Sequence, residues 1–261
     1  MIEGRTVIVV VPAFQEEARV ANVVSTMPSF VDHIIVVDDG SSDATSARAR
    51  EVGSARLRVV RHAERRGVGA AIVTGYRTGL GLTARPEDVF AVMAGDGQMD
   101  PADLRSVVLP IIRGSADYVK GNRFGAKGIR RTMGLPRFIG GQVFSLLTSM
   151  AIGQSITDSQ CGYTALGRAA ALRLDLDGLW PSFGYPNDLL GQLAARSLRI
   201  QEVPVRPIYG DEQSKLRLRH LPPIGFLVLR AAWRRRKKGG AIPRTDEHNE
   251  EKLRSDSAVS S

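Results

Sequence analysis

Four short apolar runs divide the first hundred residues: Thr6–Val11, His33–Val37, Leu57–Val60 and Asp88–Met93. Each is short and rich in Val and Ile or bounded by them, the pattern of buried strands. Between the runs the apolar positions switch to helical spacing. Glu16–Ser25 turns Ala18, Val20, Val23 and Val24 inward, and Asp43 stands where it would cap Ala44–Glu51. Gly67–Gly79 opens on glycines and continues as a helix, and Asp103–Ile112 reads as another. Strands alternating with helices of about ten residues predict an α/β domain with a mostly parallel central sheet. The first, second and fourth runs end in polar or acidic clusters. In an open α/β sheet those carboxyl ends share the edge where ligands bind.

The alternation weakens after Lys120. Gly121–Arg137 is basic and glycine-rich, with little periodicity. Helices are expected over Arg137–Ile152 and Asn187–Arg196, with a late strand over Arg199–Val203. Leu221–Lys238 joins the apolar Ile224–Leu229 to the run Arg234-Arg235-Arg236-Lys237-Lys238. From Gly239 to Ser261 the chain is polar and of mixed charge, a composition that favours disorder. The expected organisation is a single domain over 1–220, an amphipathic basic helix at a membrane surface over 221–238, and a disordered tail over 239–261.

Composition changes this picture through its charge. The chain has 261 residues, 43% hydrophobic, and a formal net charge of +9. Lys215–Lys238 holds nine Lys and Arg and no acid, which by itself equals that excess. A second acid-free stretch, Tyr118–Thr157, carries Lys120, Arg123, Lys127, Arg130, Arg131 and Arg137. Two such stretches call for an anionic partner: a membrane surface, a phosphorylated substrate or nucleic acid. Nucleic acid ranks last, because no recognition motif or interleaved aromatics accompany the cations. The single cysteine, Cys161, excludes an internal disulfide and fits a reducing compartment. No apolar stretch approaches the roughly 20 residues that span a bilayer, and the N-terminus lacks the signature of a secretory leader. A cytoplasmic protein, peripheral on the inner face of the cytoplasmic membrane, is the expectation.

Candidate chemistry collects at the strand ends. Asp38 and Asp39 close the second run and enter Gly40-Ser41-Ser42-Asp43, either a capped turn or a nucleotide contact in which a carboxylate accepts from a base or ribose. Pro12-Ala13-Phe14-Gln15-Glu16 would share that edge. Arg65-Arg66-Gly67-Val68-Gly69 has the look of a phosphate loop but lacks the Lys-Ser/Thr of a P-loop and the third glycine of a dinucleotide fingerprint. In Asp96-Gly97-Gln98-Met99-Asp100, Asp96 and Gln98 alternate and would point to one side as oxygen ligands for Mg²⁺ or Mn²⁺. Asp100 precedes Pro101 and reads better as a helix cap. Cys161 has no histidine beside it and reads as a small buried residue.

Taken in order, VVVPAFQEE, VVDDGSSD, RRGVGAA, MAGDGQMDP, GNRF and TDSQCGY resemble a family 2 glycosyltransferase of the GT-A fold. Within that family the resemblance is to the dolichyl- or polyprenyl-phosphate mannosyltransferase-like branch, which YGDEQSKLRL also resembles. It covers about residues 6 to 220. The resemblance implies an inverting transferase using GDP-mannose or a UDP-hexose and a divalent metal. It assigns Pro12, Ala13, Phe14, Glu16 and Asp39 to the nucleoside, and Arg123, Arg206 and Lys215 to phosphates. The family's metal motif is Asp-x-Asp-x-Gln; here Ala94 replaces the first carboxylate, leaving Asp96 and Gln98.

Two acceptors are open. A lipid phosphate is already anionic and needs cations, which Arg123, Arg130, Arg131 and Arg137 offer beside an apolar helix. A hydroxyl needs a general base, and Asp188 matches where hydroxyl-modifying relatives carry a catalytic carboxylate. A helix-start residue favoured by the helix dipole is the other reading of Asp188. Asp158 and Gln160 would touch sugar or acceptor. The preferred expectation is hexose transfer to a polyprenyl phosphate at an anionic membrane surface. The alternatives are a hydroxyl acceptor with Asp188 as base, and a non-catalytic nucleotide-sugar-binding protein prompted by Ala94.

Overall fold

The computed structural model describes residues 1–125, 129, 133–208 and 221–236. Seven strands form one sheet in the order β3-β2-β1-β4-β6-β5-β7. They are β1 (Val7–Ala13), β2 (His33–Asp38), β3 (Leu57–Arg61), β4 (Val89–Val92), β5 (Tyr118–Asn122), β6 (Thr164–Gly167) and β7 (Ile200–Pro204). β6 runs antiparallel to both neighbours, and the remaining pairs are parallel. The helices are α1 (Val20–Ser25), α2 (Thr45–Glu51), α3 (Val68–Leu80), α4 (Leu104–Ile112), α5 (Leu135–Ile152), α6 (Arg168–Leu172), α7 (Tyr185–Ala195) and α8 (Leu221–Arg236).

Strand alternation divides the core between two faces. Val7, Val9 and Val11 of β1 pack with Val20, Val23 and Val24 of α1 and with Leu104, Val107 and Val108 of α4. Ile8 and Val10 face the other way, towards Ala71, Ile72 and Tyr76 of α3 and Leu189, Leu190 and Leu193 of α7. Helices on both faces of a central sheet give the three-layer α/β arrangement.

β1 runs past the expected end at Val11, through Pro12 to Ala13. The ladder with β4 stops at Val10↔Val92, so the missing Pro12 N–H falls beyond it. The first helix is shorter than its apolar spacing suggests, starting at Val20 rather than Glu16. Gln15 adopts φ 58°, a left-handed conformation rare outside glycine, and the chain turns there before the helix begins. Asp43 is not the cap residue: α2 begins at Thr45 with Ala44 at its cap position, and Asp43, one residue earlier, accepts from Thr45 N–H at 3.1 Å.

α8 is built into the domain. Leu227 and Ala231 are buried, and Ala231 meets α7 at Gly191, where a β-carbon would lie 2.7 Å from Ala231 Cβ. Among the described residues no helix is long and apolar enough to cross a membrane. The expected disordered tail, 239–261, lies outside the described residues.

Candidate active site

The carboxyl ends of β1, β2 and β4 meet around a cavity of about 540 Å³. Pro12, Ala13, Phe14, Glu16 and Asp39 line one side, and Arg65, Arg66, Gly67, Asp96 and Phe183 contribute to the rest. A second cavity, about 490 Å³, lies beside it and is lined by Gln98, Arg123, Phe124, Met133, Phe144 and Gln160, among others. Pro12, Val68, Ala94, Asp96 and Phe183 line both. Asp96 therefore stands where the two spaces join.

Local folding explains these positions. Asp39 is buried, and its carboxylate accepts from Arg66 N–H and Gly67 N–H, both at 2.8 Å. His62 Nδ1 lies 2.9 Å from the same carboxylate, with its Nε2 2.9 Å from Thr74 Oγ1. Asp39 thus holds the glycine loop in place while facing the cavity. Arg65 lies over the Phe14 ring, 4.1 Å from its centroid, a cation–π contact that fixes both side chains at the rim. Glu16 is buried with its carboxylate 3.4 Å from Arg19.

Asp38 and Gly69 have other tasks than the nucleotide contact expected of them. Asp38 is fully buried; it accepts from Ser41 N–H and Ser46 Oγ–H and stiffens the turn that presents Asp39. Gly69 faces the Trp180 carbonyl, and Gly67, at φ 99°, faces that of Pro181. A β-carbon at either would overlap those oxygens, so these glycines let two loops close on each other.

The segment after β4 is a turn that brings Asp96 to the junction of the two cavities. Gly97 adopts φ 74°, and Asp96 Oδ1 accepts from Gln98 N–H at 3.1 Å. Asp100 caps the following turn, accepting from Ala102 N–H at 2.9 Å. An antiparallel bridge between Met99 and Pro207 and a hydrogen bond from Ile208 N–H to Gln98 O hold the segment from its far side. No group of three or more His, Cys, Asp or Glu side chains converges as a metal site among the described residues. Ala94, which lines both cavities, offers no oxygen from its side chain. Asp96 and Gln98 fit a metal of the Mg²⁺ type, which is commonly held by one or two carboxylates together with substrate phosphates.

Arg123 sits at the end of β5 and faces the second cavity. Its Nε and Nη2 donate to Asp158 at 2.8 and 2.9 Å. Burial alone would push the Asp158 carboxyl up, but the Arg123 hydrogen bonds and charge outweigh it and hold the carboxyl below its ordinary range. Asp158 therefore orients Arg123 rather than reaching sugar or acceptor. Gln160 does line the cavity, as expected. Cys161 is buried, and burial pushes its thiol up, which suits a packing role. Arg206 is exposed and bound to Asp103 and Asp100, at the edge of a small cleft that also touches Gln98 and Arg123. Arg131 and Lys215 lie outside the described residues, as do Lys127 and Arg130.

Asp188 is a correction. It is fully buried, accepts from Trp180 N–H at 3.0 Å, and pairs with Arg234 at 2.5 Å and Arg230 at 3.4 Å. It lines neither cavity. A carboxylate so enclosed is in no position to take a proton from an acceptor, and the general-base role finds no support. Phe144 lines the second cavity from the apolar helix expected beside the acceptor, whereas the sequence does not single out Ser182, Phe183, Phe124 or Met133 as site residues. Their signal is weak, since single aromatics in Pro181-Ser182-Phe183-Gly184 and Asn122-Arg123-Phe124 look like ordinary loop anchors.

The mixed seven-stranded sheet, with both cavities at the ends of β1, β2 and β4, has the GT-A fold. The chain belongs to glycosyl transferase family 2, whose sequence profile matches residues 8–174. It is 29% identical over 222 residues to a UDP-N-acetylglucosamine–dolichyl-phosphate N-acetylglucosaminyltransferase of Methanococcus voltae, covering 79% of this chain and 87% of that one. It is 29% identical to a polyprenol monophosphomannose synthase of Mycolicibacterium smegmatis, covering 76% of each chain. An undecaprenyl-phosphate mannosyltransferase of Micrococcus luteus is 32% identical, over 66% of this chain and 70% of its own. Among solved structures, glucosyl-3-phosphoglycerate synthase from Mycobacterium tuberculosis, in complex with Mn²⁺, UDP and phosphoglyceric acid, shares the fold. Its TM-score is 0.64 at 23% identity, covering 92% of this chain and 81% of that one.

Proposed function

We propose that the protein is an inverting glycosyltransferase that moves a hexose from a nucleotide-diphosphate sugar to a polyprenyl phosphate. One observation carries the acceptor reading. Phe124, Met133 and Phe144 make the second cavity apolar, Arg123 brings a cation to it, and Asp96, at the junction, is its only carboxylate among the described residues. A hydroxyl acceptor needs a base, and among the described residues the cavity offers none beyond the one assigned to the metal. A phosphate monoester is already ionised and needs only to be held. The sequence relatives, by name, act on dolichyl, polyprenol and undecaprenyl phosphates, which supports the same choice.

In this reading the nucleoside lies among Pro12, Ala13, Phe14, Glu16 and Asp39, with Arg65 and Arg66 adding positive charge to the pocket. Arg123, aligned by Asp158, holds the acceptor phosphate. A phosphate oxygen attacks the anomeric carbon from the face opposite the diphosphate. The new C–O bond forms as the bond to the diphosphate breaks, and the nucleoside diphosphate leaves with the electron pair, so the configuration inverts. A divalent Mg²⁺ or Mn²⁺ held by Asp96, Gln98 and the donor's own oxygens would neutralise the charge that develops on the leaving group. Arg206, at the cleft that touches Gln98 and Arg123, is proposed to add positive charge near the phosphates.

The same reading places the protein on the cytoplasmic face of an anionic membrane. α5 turns Phe144 into the cavity and leaves Ile139, Val143, Leu146 and Met150 exposed. α8 exposes Phe226, Leu229 and Trp233. Apolar faces beside basic stretches suit an interfacial position. The test is nucleotide release from UDP- and GDP-sugars with Mn²⁺, with and without a short polyprenyl phosphate in detergent. Release that depends on the lipid phosphate is expected; release that ignores it, or needs a saccharide, would overturn the acceptor reading.

A further inference from the structure

Asp188 is buried more completely than an ordinary helix-start residue, and its partners come from two directions. From α8, Arg234 Nη1 donates to Asp188 Oδ1 at 2.5 Å, and Arg230 Nη1 lies 3.4 Å from the same oxygen. From the segment before α7, Trp180 N–H donates to Asp188 Oδ2 at 3.0 Å. The carboxylate therefore joins α8 to the Trp180–Phe183 segment. Two further contacts follow the same line: Arg230 Nη2 donates to Gly178 O at 3.4 Å, and the Trp180 and Phe226 rings lie 6.5 Å apart.

That segment forms walls of the active site. Ser182 and Phe183 line the first cavity, and Phe183 also lines the second. Trp180 Nε1–H donates to Phe183 O at 3.1 Å, tying the anchored end of the segment to its cavity end. On its other side, Pro181 O accepts from Ala70 N–H at 3.0 Å, and the Trp180 and Pro181 carbonyls sit against Gly69 and Gly67. The glycine loop, whose preceding residues are Arg65 and Arg66, is thus braced by the segment that Asp188 holds.

We propose that Asp188 is a positioning residue, and that its clasp with Arg230 and Arg234 makes docking of α8 a determinant of donor affinity. The inference rests on the nucleotide-sugar reading of the first cavity. The clasp acts on the wall of that cavity and not on the reacting atoms, so its loss weakens donor binding and leaves the chemical step largely intact.

The test uses Arg234→Gln, Arg234→Lys and Ala231→Phe in the full chain. The phenyl group of the last would push α8 away from Gly191. Val108→Ala, in α4 on the opposite face of the sheet, serves as a control for lost stability alone. Nucleotide and nucleotide-sugar affinity is read by calorimetry, and donor KM and kcat by nucleotide release. In a Trp233→Phe background, Trp180 is the only tryptophan, and acrylamide quenching reports how well its segment is held.

Arg234→Gln and Ala231→Phe should each weaken donor binding about tenfold and expose Trp180 to quencher, with kcat within about threefold of the parent. Arg234→Lys should recover part of the affinity. Val108→Ala should lower the melting temperature without changing affinity or quenching. Unchanged donor affinity in Arg234→Gln and Ala231→Phe, or an equal loss in Val108→Ala, overturns the inference while the donor reading stands. Failure of the parent protein to bind any nucleotide sugar overturns both.

Discussion

At the residue scale, Ala94 stands where the family's motif carries its first carboxylate, and Asp96 where it carries the second. Ala94 lines both cavities, so an aspartate there would face the same junction as Asp96. Ala94→Asp should tighten Mn²⁺ binding in the presence of UDP by about tenfold, equivalent to roughly 1.4 kcal/mol. Electron paramagnetic resonance of free Mn²⁺ measures this without turnover. Asp188→Asn separates the two roles considered for that carboxylate. Loss of a general base lowers kcat by roughly 10² to 10⁴; here kcat should fall by much less. The cost should appear instead in donor affinity and in stability, the latter about 3 kcal/mol, because two arginines would lose their buried counter-charge. Thermal unfolding and steady-state kinetics on one preparation check both parts.

Asp158 gives a pH prediction at the same scale. Its carboxyl titrates lower in the folded protein than in the unfolded chain, because Arg123 outweighs the effect of burial. The group therefore contributes stability above the unfolded value of about 3.9 and loses it as pH falls through the lower folded value. The difference in unfolding free energy between the parent protein and Asp158→Asn should be constant near neutrality and shrink only below about pH 4. A difference that shrank above pH 6 would remove the Arg123 pair as its cause.

At the scale of elements, legibility followed burial. β1, β2 and β4 are apolar on both faces because helices cover both sides, so their runs stand out in the sequence. β5 hides its nature behind Lys120 and Gly121. Lys120 is nevertheless fully buried, its Nζ donating to Cys161 O at 2.6 Å, a contact made across 41 residues that no local pattern announces. β6 has four residues and runs straight into the Ala-rich α6, so no composition break marks it. Pro12, Ala13, Phe14, Glu16 and Asp39 were readable as neighbours on one edge because they follow apolar strands. The wall formed by Ser182 and Phe183 was not, because it depends on a segment anchored through Asp188 to a helix some 40 residues onward. α5 carries a prediction of its own. Its exposed Leu146 lies outside both cavities, so Leu146→Glu should reduce flotation with anionic vesicles while leaving UDP affinity unchanged. Undiminished flotation would remove α5 from the membrane-facing surface.

At the scale of the whole molecule, the sheet brings two chemically different spaces to one carboxylate. One is lined by Glu16, Asp39 and two arginines; the other is apolar and holds Arg123 beside an exposed apolar helix. Membership of glycosyl transferase family 2 fixes the reaction class. The identity of the acceptor is the central claim, and nucleotide release from a UDP- and GDP-sugar panel with Mn²⁺ tests it most directly. Release that requires a short polyprenyl phosphate, and is abolished in Asp96→Ala, is the expected result. Donor binding without release on addition of the lipid phosphate would contradict the account.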